Sequence, residues 1–194
     1  LVNLSDSSWI PFWVNVIYHT DYENYTGSEI FHHLIQTGHY RHFFLGSKTE
    51  ILEGLKKTLI EINPSLGEMQ FETLPVRNVE DFDYQNIAKM INADNPDFIW
   101  VSLGAPKQEQ FMNRLKPFLH RGVMFGVGAV FRFYSGNSAY KRAPRWIIRI
   151  KMEWLYRTFQ EPRRMIKRYW HVFVSMPKLI IHEKKKQRFG MEII

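Results

Sequence analysis

The sequence predicts an α/β layer fold, a mainly parallel sheet flanked by helices. Three observations carry that expectation. Short apolar runs that read as buried strands alternate with amphipathic stretches of helical period. The runs close on glycine turns, at Gly46, Gly104 and Gly126. Strands separated by helices are expected to be parallel neighbours joined by helical crossovers.

Taken in order, residues 1–4 read as a strand and residues 7–18 as a helix capped by Ser5, Asp6 or Ser7. A fold of this class that begins so abruptly is expected to lack its first strand. Residues 42–45 (HFFL) form a buried strand ending at Gly46. Residues 48–62 follow as a helix with Ile51, Leu52, Leu55, Leu59 and Ile62 on one face, stopped by Asn63-Pro64. Residues 80–93 make a second helix and residues 97–103 (DFIWVSL) a second strand, turned by Gly104-Ala105-Pro106. Residues 107–119 are a third helix and residues 122–127 (GVMFGV) a third strand. From residue 143 the character changes. Pro144 suits a helix first turn, residues 145–160 continue as helix, and Pro162 breaks or restarts it. Two regions result: residues 1–140, an α/β domain, and residues 141–194, a helical basic appendage. There is no internal repeat and no low-complexity segment.

Composition bounds the chemistry. A chain of 194 residues, 45% hydrophobic and 23% charged, suffices for one globular domain with a sizeable core, and its 15 Phe and 6 Trp can fill it. No cysteine is present, which excludes disulfides and thiolate metal sites. No apolar run reaches the length of a membrane-spanning helix. Residue 1 is Leu rather than Met, so the sequence reads as a fragment or processed form with room for an upstream targeting segment. Charge is divided unevenly. Residues 141–194 carry 15 Lys and Arg against 4 Asp and Glu, while the rest of the chain is net acidic. An anionic partner for the C-terminal stretch follows: phosphate, lipid headgroup or nucleic acid.

The turn after each strand is a candidate ligand site, since ligands of open α/β sheets bind outside the carboxyl ends of strands. Gly46, in FFLGSKTE, opens a helix whose N–H groups suit a phosphate, although an ordinary turn needs no ligand. In LGAPKQEQ, Gly104 and Pro106 shape a tight loop, and Lys107, Gln108 and Glu109 open the next helix. They read equally well as ligand donors at its positive end or as a solvated first turn. Gly126 and Gly128 permit close approach of a ligand or of tight packing. Asp81-Phe82-Asp83 has the spacing of a carboxylate metal motif, but a helix start favours acids there for its own reasons. His19, His32, His33, His39 and His42 read as surface and core residues rather than ligands. Arg157, Arg163, Arg164, Lys167 and Arg168, interleaved with aromatics, suit a diphosphate, a membrane interface, stacked bases or merely solvent.

Three pieces in one order, VSLGAPKQEQ, FGVGAVFRFYSG and KRAPRWIIRIKMEWLYRTFQEPRRMIKR, span residues 101–168. Together they resemble the WecG/TagA/CpsF glycosyltransferases. The likeness extends more weakly upstream through NYTGSEIF and HFFLGSKTEILEGL. It implies a Rossmann-like fold and an inverting transfer of a hexose derivative, such as N-acetylmannosamine, from a UDP-sugar. The implied acceptor is a sugar on a polyprenyl diphosphate at the inner face of the plasma membrane. The implied roles are Asp6 as catalytic base, Gly46, Gly104, Pro106, Lys107, Gln108, Glu109, Gly126, Gly128 and Arg132 around the UDP-sugar, and the five C-terminal cations on the lipid diphosphate. No metal cofactor is implied. Arg132 stands where the family usually has an acidic residue, Tyr25 near a usual Arg, and Lys151-Met152 before Glu153-Trp154 in place of Gly-Leu. The family's N-terminal segment, with a proposed catalytic Thr, would lie upstream of Leu1. With the basic appendage and the apolar VFVSMPKLII, reversible attachment to an anionic membrane surface is expected. A noncatalytic sugar-nucleotide-binding protein remains an alternative, as does a basic nucleic-acid-binding module. The latter does not account for GAPKQEQ, so nucleic acid is not the expected partner. Homo-oligomers are left open.

Overall fold

The structure is a computed structural model that describes residues 9–22, 25–136, 144, 147, 153–160, 162, 170 and 174–184. Contacts divide the chain into two compact units, Gly27–Lys141 and a second made of Leu1–Thr26 with Arg142–Ile194.

The first unit is an α/β layer. Its helices are α2 (Gly27–Gln36), α3 (Thr49–Ile62), α4 (Tyr84–Asp94), α5 (Lys107–Leu115) and α6 (Val130–Tyr134). Its strands are β1 (His42–Gly46), β2 (Gln70–Glu72), β3 (Phe98–Ser102) and β4 (Val123–Gly126). They form one sheet in the order β2-β1-β3-β4, every pairing parallel. The period-2 alternation of strand side chains feeds two cores. Phe43, Leu45, Ile99 and Val101 face Ile87, Ala88 and Ile91 of α4 and Phe111, Met112 and Leu115 of α5. Phe44 and Trp100 point the other way, into Phe31 and Ile35 of α2, Leu52, Leu55 and Leu59 of α3, and Val130 and Phe131 of α6.

The sequence-based elements appear with shifted ends. The helix expected at 80–93 begins at Tyr84, because the Asp83 carboxylate caps it by accepting from the Asn86 N–H at 3.0 Å, leaving Val79–Asp81 as a separate 3-10 turn. Asp81 accepts from the Asn78 amide at 3.2 Å. The helix expected at 107–119 stops at Leu115 and tightens into a 3-10 turn over Lys116–Phe118, where Pro117 offers no N–H. The Asn63-Pro64 stop holds, and Asn63 does more: its amide donates to the Ile35 carbonyl at 3.1 Å, tying the end of α3 to α2. Three elements were not anticipated. β2 is a short edge strand with polar Gln70 and Glu72. The α6 helix has five residues. In α2, Phe31, Leu34 and Ile35 have helical spacing within a segment of two adjacent histidines.

The amino end of the sheet is clasped by charge. Asp97 accepts from the Arg41 N–H at 2.9 Å and pairs with the Arg121 guanidinium, while Arg41 pairs with Asp94. Just inside, His42 is fully buried, and its Nδ1 accepts the Trp100 indole N–H at 3.0 Å. The imidazole is therefore neutral with its proton on Nε2, which has no partner. Burial opposes the charged imidazole and outweighs the attraction of nearby Asp97, so the pKa is lowered to about 4; protonating Nδ1 would also set two donors against each other. The helix–helix fit is tight where α3 meets the end of α6. A Cβ on Gly54 would lie 2.1 Å from the Ser135 carbonyl oxygen.

Within the second unit, α1 (Trp9–Tyr18) lies inside the helix expected over 7–18, with its turn closed by Asn15, which accepts from the Thr20 hydroxyl and the Tyr22 N–H at 3.0 and 2.8 Å. α7 (Glu153–Gln160) falls inside the helix expected at 145–160. Residues 174–184 are helical, and Glu183 there accepts from the Tyr18 hydroxyl at 2.6 Å. No helix among the described residues is long and apolar enough to cross a membrane. The strand expected at residues 1–4 lies outside the described residues.

Two predictions follow from this packing. Gly54→Ala should destabilise the protein by about 2 kcal/mol in urea unfolding, from overpacking, although alanine is the better helix former by about 1 kcal/mol; a gain in stability would refute the close approach. Acidification should weaken the fold as the unfolded-state histidine takes up a proton below pH 6.5 that native His42 refuses until about pH 4. The expected loss between pH 7 and pH 5 is about 2 kcal/mol, and His42→Gln, which keeps an acceptor for Trp100, should flatten that slope.

Candidate active site

Parallel pairing sends all four strands out of the sheet at one edge, and the chain's path makes that edge uneven. From β1 the chain moves outward to β2, then returns past β1 to β3 and continues to β4. The winding reverses between β1 and β3, and such a switch point opens a crevice beyond the strand ends where helices diverge to opposite faces. Gly46 at the end of β1 is in register with Ser102 at the end of β3.

The glycines have identifiable reasons. Gly46 has φ +102°, and a Cβ there would meet the Ser102 carbonyl oxygen at 2.8 Å. The next residue, Ser47, also takes a positive φ of 72°, so the chain leaves β1 in a sharp bend before α3. Gly104 has φ +79° and is followed by a cis Ala105-Pro106 bond. Its carbonyl accepts the Gln108 N–H at 3.0 Å, which starts α5 directly out of the turn.

At the centre lies the Gln108 side chain, 6% exposed. Its Oε1 accepts two backbone N–H groups, from Gly104 at 3.2 Å and Gly128 at 3.0 Å. Its Nε2 donates to the Glu109 carboxylate at 3.1 Å, which fixes the amide the right way round. The glycine at 126 makes room for it: a Cβ there would lie 2.9 Å from Nε2 and 3.1 Å from the Met112 methyl. The Ser102 hydroxyl completes the bridge by donating to the Gly128 carbonyl at 2.7 Å. The turns after β3 and β4 are thus one hydrogen-bonded assembly.

The structure brings Gly46, Gly104, Pro106, Lys107, Gln108, Glu109, Gly126 and Gly128 to this edge, with Arg132 following in α6. It gives side-chain partners to at least three of them, Glu109 through the Gln108 amide. Lys107 donates to the Arg77 carbonyl and sits 5.4 Å over the Phe82 ring, and Gln108 is enclosed. One Glu109 oxygen, Oε2, is buried without a partner. Arg157 belongs to α7, in the other unit. Asp6, Arg163, Arg164, Lys167 and Arg168 lie outside the described residues. Sequence reasoning missed Ser102 and Ser47, though both flank the glycine turns it singled out. Among the described residues, no group of three or more His, Asp and Glu is arranged to hold a metal ion.

An open parallel sheet with glycine turns at its switch point defines a class of proteins that take ligands at the carboxyl edge. The chain belongs to the glycosyl transferase WecG/TagA/CpsF family, matching it over residues 2–190. It is similar to an N-acetylglucosaminyldiphosphoundecaprenol N-acetyl-beta-D-mannosaminyltransferase of Bacillus subtilis (strain 168), 32% identical over 77% of this chain and 55% of the relative. A protein of the same name from Bacillus spizizenii is 36% identical over 55% of this chain and 38% of its own length. Another, from Staphylococcus aureus (strain MW2), is 28% identical over 72% and 53%. The chain spans about half the length of the first and third of these relatives and less of the second.

Gln108→Ala should lower stability by about 2 kcal/mol, read by urea unfolding, because Gly104 and Gly128 N–H groups lose their shared acceptor. An unchanged midpoint would mean that water replaces the amide without cost.

Proposed function

We propose that this protein is the catalytic part of an inverting glycosyltransferase. It moves a hexose derivative, N-acetylmannosamine being the case named for the relatives, from a UDP-sugar to a sugar on polyprenyl diphosphate. The observation that carries the reading is the reversal of winding between β1 and β3, with three glycine turns converging on the crevice. Family membership and the relatives' names supply the reaction class.

In this reading the turns at Gly46, Gly104 to Glu109 and Gly126 to Gly128 hold the nucleotide. Gln108 and Lys107 serve largely by shaping them. Asp6 accepts the proton of the acceptor hydroxyl as its oxygen bonds to the anomeric carbon, from the face opposite the departing UDP. Negative charge grows on the leaving diphosphate. Backbone N–H groups and cationic side chains stabilise it without a metal ion. Arg157, Arg163, Arg164, Lys167 and Arg168 clasp the lipid diphosphate. The basic residues 141–194 attach the enzyme reversibly to the inner, anionic face of the plasma membrane, each cation contributing about 1 kcal/mol.

Calorimetry of the full chain with UDP should show binding that EDTA leaves unchanged. Asp6→Asn should retain that binding and lose turnover on a short-chain lipid acceptor by at least a hundredfold, roughly the weight of general-base catalysis. Absent UDP binding, or strict metal dependence, would overturn the reading. UDP binding with no turnover across a panel of UDP-sugars would instead favour a noncatalytic sugar-nucleotide-binding protein.

A further inference from the structure

The loop between β2 and α4 leaves the sheet at the same edge as the glycine turns, because Leu45 of β1 is level with both Glu72 of β2 and Val101 of β3. Its backbone is held at several points. Leu74 is buried among Phe43, Leu45, Val101 and Phe82. The Val79 side chain is buried too, and its carbonyl accepts the Tyr84 hydroxyl at 2.5 Å. Asn78 donates to Asp81. In the middle, Lys107 donates to the Arg77 carbonyl from the first turn of α5. Lys107 thereby joins this loop to the Gly104 turn.

The loop is fastened through its backbone and through Leu74 and Val79, and its tip is open. Val76 is 96% exposed, and Arg77 beside it is exposed as well. Arg41, Arg114 and Arg121 each pair with a carboxylate, Asp94, Glu80 and Asp97 respectively. The Arg77 guanidinium has no hydrogen bond or ion pair among the described residues. A planar cation carried on a fixed backbone loses less freedom on taking a bidentate anion than one on a loose loop.

We propose that Arg77 is a further donor-binding residue, its guanidinium taking the diphosphate of the nucleotide. Lys107 is a positioning residue that acts on the ligand through Arg77, by holding its loop, rather than by touching the phosphate. The inference rests on the UDP-sugar reading above. It assigns the charge that Lys107, engaged by the Phe82 ring and the Arg77 carbonyl, does not bring to the crevice.

The test is calorimetry of the full chain with UDP and with uridine, on wild type, Arg77→Gln, Arg77→Lys, Lys107→Met and the Arg77→Gln/Lys107→Met pair. Arg77→Gln should weaken UDP binding about tenfold, the scale of one charge-assisted hydrogen bond, and leave uridine binding unchanged. Arg77→Lys should recover only part of the loss, since the fork is missing. Lys107→Met should weaken UDP binding as well, and the double variant should bind no more weakly than the poorer single. Wild-type UDP affinity in Arg77→Gln would overturn the inference alone, as would losses that multiply in the double variant. A wild-type protein with no affinity for UDP would overturn the donor reading and this inference with it.

Discussion

One buried amide holds the working edge of this fold together. Gln108 Oε1 faces the N–H groups of Gly104 and Gly128, which belong to turns after different strands. Without that acceptor, two donors at a partly enclosed edge would need water or a rearranged chain. The surrounding sequence fits this arrangement. Gly126 leaves space where a methyl group would strike the amide, and Glu109 fixes which end of the amide is oxygen. Ser102 ties the Gly128 carbonyl back to β3. The glycines that look like ligand contacts are therefore first the consequence of a tight internal fit, and the crevice is what that fit leaves open.

The sheet is asymmetric end to end. At its amino end, Asp97 receives the Arg41 N–H and the Arg121 guanidinium, and the His42–Trp100 pair is sealed behind them. That end is closed by charge and aromatic packing. The carboxyl end is built from turns with little side-chain bulk. Rigidity at one end and open backbone at the other is the arrangement a ligand-binding α/β edge requires.

Much of this was legible in the sequence. The runs HFFL and FIWVS declare β1 and β3 because strands covered on both faces are continuously apolar, and VMFG marks β4 although Val123 at this sheet edge is exposed. The helical period of Ile51, Leu52, Leu55 and Leu59 declares α3. β2 was not legible: an edge strand of three residues, half-exposed, carries Gln70 and Glu72 and no apolar run. The start of α4 was misplaced because Phe82 looks like the first apolar position of the helix, whereas its extended backbone lets Asp83 take the cap. In the site, residues were identified more readily than their roles. A Gln in a helix first turn reads as solvated or ligand-facing. That it is enclosed depends on Gly126, distant in the chain, and no local pattern records such a pair. Arg77 was passed over because nothing around PVRN marks it. Only the parallel register brings its loop level with the glycine turns.

The all-parallel sheet also bears on how the chain finds its fold. No strand pair here can close as a hairpin, so every pairing waits on an intervening crossover. The pair joining β1 to β3 spans β2 and two helices, whereas β3 and β4 are separated by α5 and short turns alone. Chain entropy lost in closing a loop rises with its length, so the β3–β4 pairing costs less to close than the β1–β3 pairing. The Gln108 bridge links Gly104, between β3 and α5, to Gly128 in the turn just beyond β4. The same side chain that spaces the turns in the finished protein thus fastens the pairing with the shorter of these two crossovers.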